Sequence, residues 1–290
     1  MSASFEVRPS AISFDRGPPQ AVIPLERLAE GVAFVRREGL RSLELDSLEP
    51  SPKVRQIDFG FLDEIPELFG FECRMNVSKK ADLAPLFRRR ELRQLGWPAR
   101  TTPPMDLSSF PSLECLSIKH QASTTGWAAL TRLQYLRLSL SGAEDLALLA
   151  PLGALERLEV ADAFIKSMDG VEHLEALERL DLFALPRLTD ISAVARCARL
   201  RSLHVHQTRR LSDFSALAGA PVEELRLFTK TDDLEFVAML PALRTLFCNG
   251  LQSDDLAPLL RAKALRSIDL QPRRRSQVPS LEEVIRALGL

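Results

Sequence analysis

The chain has 290 residues, with 38 Lys and Arg against 39 Asp and Glu and a net charge of -1. This balance argues against a dedicated nucleic-acid binder, whose affinity comes mainly from basic residues that neutralise phosphates. The chain is 46% hydrophobic and 27% charged, so it can build a core and does not have the composition of a disordered segment. Leucine is by far the most frequent apolar residue, whereas there are one tyrosine and two tryptophans. Such a bias is typical of a repeated structural unit.

The N-terminal part of the chain predicts a cap. Phe5–Phe14 indicates extended chain, and Asp15-Arg16-Gly17-Pro18-Pro19 indicates a turn. Residues 24–38 predict a helix with one apolar face, formed by Leu25, Leu28, Val32 and Val35. The first residues lack a basic segment followed by an apolar one, so no secretory signal is predicted. No apolar run approaches the ~18–20 residues needed to cross a bilayer.

The four cysteines are widely scattered and form no CxxC pair: Cys73, Cys115, Cys197 and Cys248. In a chain of this length they indicate reduced thiols, mostly in the core. With the N-terminal features, they predict a cytoplasmic protein.

A motif of the form L-x-x-L-x-L recurs nine times between Leu92 and Leu270, in steps of 20 to 23 residues. The period of two within L-x-L predicts a short strand in every copy. Two earlier copies, Leu40-Leu43-Leu45 and Val54-Ile57-Phe59, begin only 14 residues apart. The register between Asp46 and Lys80 therefore stays open.

Apolar residues recur with a period of three upstream of most of the strands, which predicts short 3₁₀ or single-turn helical segments. An aspartate precedes this run in seven repeats, at Asp82, Asp106, Asp145, Asp190, Asp213, Asp233 and Asp255. Such aspartates are typical of caps that accept backbone N–H bonds. A metal or acid–base role is the weaker interpretation, because every repeat needs a cap and none of these carboxylates has a second partner in the pattern.

These motifs resemble the leucine-rich repeat family, in the form of about 22 residues found in bacterial internalins and in the regulatory subunit of protein phosphatase 1. The resemblance implies an α/β solenoid, a horseshoe with a parallel concave β-sheet and short 3₁₀ or helical segments on the convex side. We expect one continuous domain with an N-terminal strand and helix cap over 1–39, repeats over 40–272 and a C-terminal capping helix within 273–290. Ser280-Leu281-Glu282-Glu283 is a capping box at the start of that helix.

The side chains between the inward leucines of each strand face outward on the concave sheet. Phe183, His206 and Phe228 occupy the same position in three consecutive strands, and Phe247 lies diagonal to them. Exposed aromatic and arginine side chains are enriched at binding hot spots. The sequence therefore predicts a partner-binding site formed by Tyr135, Arg137, Arg157, Arg179, Phe183, His204, His206, Arg226, Phe228 and Phe247. In the alternative, these side chains only cover one another, and the arginines pair with Glu159, Asp181 and Glu224.

Neither a metal site nor a catalytic site is predicted. His204 and His206 share a strand face, but a metal site needs three or four converging ligands, and surface histidines are the better interpretation. Cys115 faces outward on its strand without a histidine beside it, and no phosphate-binding or hydrolase motif occurs. We predict no cofactor.

The predicted function is a non-catalytic protein–protein interaction module that binds a partner protein on its concave face. A bacterial immunity protein and a regulatory scaffold are the settings that the resemblance implies. The alternative is an accessory protein that binds nucleic acid or anionic lipid through Arg88–Arg90 and Arg273–Arg275. An enzyme-associated domain is the weakest hypothesis.

Overall fold

A computed structural model describes residues 5–12, 17–48 and 53–290. The contacts within the chain divide it into two compact units, Met1–Ser139 and Leu140–Leu290. The sequence-based boundaries at residues 39 and 272 stay a prediction.

The strands of unit 1 are β1 Glu6–Pro9, β2 Pro19–Pro24, β3 Ser42–Asp46, β4 Gly70–Cys73, β5 Gln94–Trp97, β6 Met105–Asp106, β7 Cys115–His120, β8 Thr124–Thr125 and β9 Tyr135–Leu140. In its main sheet the strands follow the order β1-β2-β3-β4-β5-β7-β9. β1 pairs antiparallel with β2, and the successive pairs from β2 to β7 are parallel. The short strands β6 and β8 pair separately. The α-helices are α1 Leu28–Arg37 and α2 Ala84–Phe87, and 3₁₀ helices span Leu25–Arg27, Phe59–Glu64, Leu107–Ser109 and Trp127–Ala129.

Unit 2 contains six parallel strands in chain order. They are β10 Arg157–Ala161, β11 Arg179–Phe183, β12 Ser202–His206, β13 Glu224–Phe228, β14 Thr245–Asn249 and β15 Ser267–Gln271. The 3₁₀ helices are Ala147–Leu149, Val171–His173, Ser192–Arg196, Ser215–Leu217, Glu235–Met239 and Ala257–Arg261, and the helix α3 is Leu281–Leu288. Ser280 and Glu283 form the predicted capping box at the start of α3. No helix of the described ranges has the length and apolarity that a membrane crossing requires.

The strand positions predicted from the nine motif copies are confirmed. Their inward side chains form the core, and in unit 2 they are buried except for Ile268, which is partly exposed. The segments with a period of three form 3₁₀ helices or, for the segment with Leu83 and Leu86, the single-turn helix α2, as predicted. We call the opposite side of each unit's sheet, from which the residues between the inward side chains project, its outward face.

The register between residues 46 and 80 differs from the early motif copies. The copy at Leu40-Leu43-Leu45 is confirmed by β3, but Val54-Ile57-Phe59 is not a strand, and Val54 is exposed. The strand of this repeat is β4, in which Phe71 and Cys73 are buried. Phe59 instead starts a 3₁₀ helix, and its ring packs 6.2 Å from Phe71 and 5.7 Å from Trp97. Aromatic rings therefore fill the part of the core that leucines fill elsewhere.

The N-terminal prediction is confirmed in part for the residues that the structure describes. Glu6–Pro9 is extended as predicted, but Ala11 and Ile12 lie in a turn, and Pro24 ends β2 instead of starting the helix. β1 and β2 are extended, and residues 25–37 are helical, with Val32 and Val35 buried. Residues 13–16, which carry part of the predicted turn, lie outside the described residues.

The capping role of the seven aspartates is confirmed. Each carboxylate accepts a hydrogen bond from the backbone N–H two residues further on, at 2.8 to 3.1 Å. The recurring aspartate therefore satisfies a donor that the short helical turn leaves without a partner.

Replacing Asp190 by alanine is expected to lower the free energy of unfolding by about 1 kcal/mol, because the Ser192 N–H loses its acceptor. Urea denaturation of the variant measures this change. Glu175→Ala, at an exposed position in the preceding repeat, is the control and should shift the value by less than about 0.5 kcal/mol. Equal effects for the two variants would contradict the capping role.

Candidate partner-binding site

The four aromatic side chains predicted to cluster lie in one row across β11 to β14, which we call the aromatic row. Strand register places Phe183 opposite His206 and His206 opposite Phe228, while Phe247 stands opposite Arg226. Ring centroids are 4.5 Å apart for Phe183 and His206, 4.1 Å for His206 and Phe228, and 4.5 Å for Phe228 and Phe247. All four side chains are half-buried. The predicted juxtaposition, including the diagonal position of Phe247, is confirmed.

Stacking determines what the aromatic row offers to a ligand. The His206 ring has a stacked neighbour on both faces, with interplanar angles of 26° to Phe183 and 12° to Phe228. A flat group cannot insert beside it without separating these rings. The row therefore presents ring edges, whose partial positive charge attracts carboxylates and carbonyl oxygens.

A buried acid, Asp181, organises the charges beside the row. Its side chain is 2% exposed, and its carboxylate lies 2.9 Å from Arg179 Nε, 3.4 Å from Arg157 Nε and 2.9 Å from His204 Nδ1. His204 Nε2 lies 3.2 Å from Ser202 Oγ on the same strand. Two guanidinium groups and an imidazole thus surround one carboxylate on the outward face of unit 2.

This surrounding sets the ionisation of Asp181. Burial by itself raises the pKa of its carboxyl, but the hydrogen bonds and charges of His204 and Arg179 outweigh burial and lower the pKa from 3.8 to about 2. Because the pKa is lower in the folded state, the stabilisation is fully present above pH ~4 and is lost as the pH falls towards about 2.

The pH dependence of stability tests this network. The shift in pKa corresponds to roughly 2 kcal/mol, which the wild type should lose between about pH 4 and pH 2. Asp181→Asn should lose the same order of stability at pH 7 and should show a flatter dependence in this window, as measured by chemical denaturation at stepped pH. If the stability curves of wild type and variant run parallel, the network does not hold Asp181 ionised.

The arginines of the site are engaged within the chain. Arg157 and Arg179 pair with Asp181, and Arg226 lies 2.5 Å from Glu224. Asp181 and Glu224 are two of the three acids that the alternative interpretation, in which the side chains only cover one another, names as partners of the arginines. Arg226 nevertheless keeps 45% of its side chain exposed, and it stands opposite Phe247 of the aromatic row in the strand register.

The two histidines differ in their surroundings. The prediction of surface histidines is wrong for His204, which is 9% exposed because it lies between Asp181, Ser202 and Glu224. Burial lowers the pKa of His206, as does the neighbouring His204, although Asp181 opposes this effect. Burial between its neighbours therefore favours a neutral imidazole at His206. Across the described ranges, no three His, Cys, Asp or Glu side chains are placed to hold a metal ion.

The remaining two predicted site residues, Tyr135 and Arg137, belong to β9 in unit 1. Arg137 is exposed. Tyr135 is 6% exposed, because Ile12 of the N-terminal segment packs on it and on Cys115. A partner cannot contact the Tyr135 ring without moving Ile12.

The N-terminal segment also covers other parts of the outward face of unit 1, which sequence reasoning missed. Arg8 donates to both oxygens of Glu44, at 2.6 and 2.8 Å, and the Glu44 side chain is fully buried. Ile12 occupies the space above Gly96, where an added Cβ would lie 2.5 Å from Ile12 Cδ1. No local pattern predicts this cover, since each contact joins residues more than thirty positions apart.

All four cysteines are buried thiols that form no disulfide, as predicted. Burial raises the pKa of Cys73 to about 12 and that of Cys197 to about 11. At Cys73, a hydrogen bond with the backbone of Met75 opposes this rise. A thiolate is the nucleophilic form of cysteine, so these two thiols are unreactive near neutral pH.

Solved leucine-rich repeat proteins have a similar structure. The internalin InlF from Listeria monocytogenes matches with a TM-score of 0.57 and 22% identity, over 87% of this chain and 73% of its own. TLR13, solved in a complex with ssRNA13, matches with a TM-score of 0.60 and 19% identity, over 83% of this chain and 37% of its own. InlJ, also from Listeria monocytogenes, matches with a TM-score of 0.52 and 16% identity, over 78% and 48%. This chain thus spans less than half of the TLR13 and InlJ chains.

No known family profile matches the sequence, and no curated protein does. The repeated strands, the 3₁₀ segments and these structural neighbours together show that the chain has the leucine-rich repeat fold that its sequence motifs predict.

Proposed function

We propose that this chain is a non-catalytic module that binds a partner protein on the outward face of unit 2. The observation that carries the proposal is the aromatic row, four half-buried rings in contact on a surface that is otherwise polar. Aromatic side chains backed by arginines are the residues that dominate binding energy in protein interfaces. The buried network around Asp181 supports the row, because it fixes the strand positions next to it.

The unit 1 face is the weaker candidate for the interface. Many of its outward positions are buried, including Glu44, Glu72, Gln94 and Tyr135, whereas Arg137 is exposed. Arg8 and Ile12 account for part of this burial. A partner would have to displace this segment before it could contact the sheet, whereas the aromatic row is already accessible.

At least three of the six arginines in the two runs are engaged within the chain, which favours the protein-binding function over the nucleic-acid or lipid alternative. Arg88 and Arg89 both pair with Asp63. Arg274 pairs with Asp254 at 3.2 Å and donates to the carbonyls of Gln252 and Leu251. These guanidinium groups therefore act within the chain. One structural neighbour, TLR13, was solved with RNA. A steep loss of binding with added salt would favour the nucleic-acid or lipid alternative for this chain.

An immunity protein or a regulatory scaffold is the setting we propose, since two of the structural neighbours are bacterial internalins. Each role requires a stable complex with another protein and no reaction. The buried thiols and the hydrogen-bonded His204 are consistent with a surface that binds without chemistry.

Capture of partners from an extract of the source cells tests the proposal. The wild-type chain and a Phe183→Ala/Phe228→Ala variant are immobilised side by side, and retained proteins are identified by mass spectrometry. A protein retained by the wild type and lost with the variant is the expected result. Retention of the same proteins by both would place the interface away from the aromatic row.

A further inference from the structure

A cavity of about 660 Å³ opens in unit 2, where the chain leaves β10, β11 and β12. Its lining consists of Asp162, Phe164, Ala184, Pro186, Gln207 and Arg209. Ala184 and Gln207 directly follow Phe183 and His206 of the aromatic row. The cavity therefore borders the proposed binding surface, and its volume lies within the roughly 300–1,000 Å³ of ligand-binding pockets.

Three of the lining residues have a backbone conformation that disfavours side chains. Asp162, Ala184 and Gln207 have φ of 50°, 52° and 55°, and they are the non-glycine residues with positive φ in the described part of the chain. Their N–H groups continue the strand hydrogen bonds, to the carbonyls of Phe183, His206 and Phe228. The equivalent residue after β14 is Gly250, the residue type that such a conformation favours.

Positive φ at equivalent non-glycine positions of three consecutive repeats coincides with the cavity wall. Glycine would relieve the strain at each position but would remove the side chain from the lining. Strained backbone that persists at one place is a feature of functional sites. The chain instead keeps the Gln207 and Asp162 side chains in the cavity lining at these positions.

The chemistry of the lining defines what fits. Phe164 is 55% exposed, and no other Phe, Tyr or Trp side chain of the described residues is as exposed. Its ring lies under the guanidinium of Arg187, at 5.3 Å from the centroid. Phe164 and Pro186 supply apolar surface to the lining, and Arg209 and Asp162 supply one charge of each sign. Arg187, which lies over the Phe164 ring, adds a second positive charge at the edge of the cavity. An apolar group with an adjacent carboxylate complements this arrangement.

We propose that the cavity is a second contact point for the partner, which inserts an aromatic or aliphatic side chain next to an aspartate or glutamate. The apolar side chain packs on Phe164 and Pro186, and the carboxylate pairs with Arg209. This inference rests on the proposed function, because the same partner segment continues onto the ring edges of the aromatic row.

Random 12-residue peptides displayed on phage are the probe, selected on the full wild-type chain. A fluorescein-labelled copy of an enriched peptide is then titrated against variants by fluorescence anisotropy, with circular dichroism to check folding. We expect enriched peptides to carry an apolar residue beside Asp or Glu. Arg209→Glu and Phe164→Ser should weaken binding at least 10-fold, whereas Arg199→Glu, an exposed control outside the cavity, should leave it unchanged.

A Gln207→Gly variant adds a readout that a purely structural role would not produce. Its melting temperature should rise, because glycine accepts the positive φ, while peptide binding weakens. Unchanged binding in the Gln207→Gly, Arg209→Glu and Phe164→Ser variants would overturn the cavity inference. So would enriched peptides without the acidic and apolar pair, or no enrichment.

The two proposals fail in different ways. If only the Phe183→Ala/Phe228→Ala variant loses peptide binding, the result argues against the cavity as a contact point and supports the aromatic row. If only the cavity variants lose peptide binding, the result supports the cavity as a contact point and argues against the aromatic row. The capture experiment decides the proposed function separately.

Discussion

The Phe183→Ala/Phe228→Ala variant is expected to bind its partner about 30- to 1,000-fold more weakly than the wild type, a loss of roughly 2 to 4 kcal/mol. The two rings flank His206 on both faces, so their removal destroys the continuous row as well as its contact area. The loss should appear in titration calorimetry with the partner identified by capture. Each single variant should cost less than half of the total, because one remaining ring still stacks on His206.

The matched control for this variant is Met239→Ala/Val278→Ala. These two apolar side chains are also in unit 2, but they are 41% and 71% exposed and lie outside the strands. This control should retain the wild-type affinity. Urea denaturation of both double variants separates a loss of binding from a loss of folding, since half-buried rings on the outward face contribute little to the core. Equal affinities for all three proteins would show that the aromatic row is not the interface.

Arg8→Ala is expected to lower the free energy of unfolding by about 3 kcal/mol. Glu44 is fully buried, and the variant removes the guanidinium that donates to both of its oxygens. Breaking a buried ion pair from one side typically costs 3–5 kcal/mol, because a charge is left without its partner. Arg74, 3.1 Å from Glu44, remains as a partner, so we expect a loss at the lower end of this range.

Two further variants isolate this contact. Arg27→Ala removes an ion pair with the exposed Glu30, so it should cost less than about 1 kcal/mol. Arg8→Ala/Glu44→Gln removes both charges and should recover part of the stability. A cost for Arg8→Ala no larger than that for Arg27→Ala would show that the N-terminal segment is not held on the sheet by Glu44.

The repeat and its caps could be predicted because their causes are local. A strand with alternating leucines and an aspartate before a helical turn each depend on residues within a few positions of one another. The aromatic row also followed from the sequence, since repeats of nearly equal length place Phe183, His206 and Phe228 at one level of a parallel sheet. The strand position of the repeat that contains β4 could not be predicted in this way. Its spacing is irregular, and its core positions hold Phe71 and Cys73.

The sequence by itself thus determined the leucine-rich repeat fold, the seven caps and the position of the aromatic row. Only the tertiary structure decided which of the predicted site residues a partner can contact. Tyr135 is covered by Ile12, and Arg157 and Arg179 share the buried Asp181. The physical reason is competition in space. A guanidinium pairs with the nearest carboxylate and an apolar side chain covers the nearest apolar surface, wherever in the chain those groups lie.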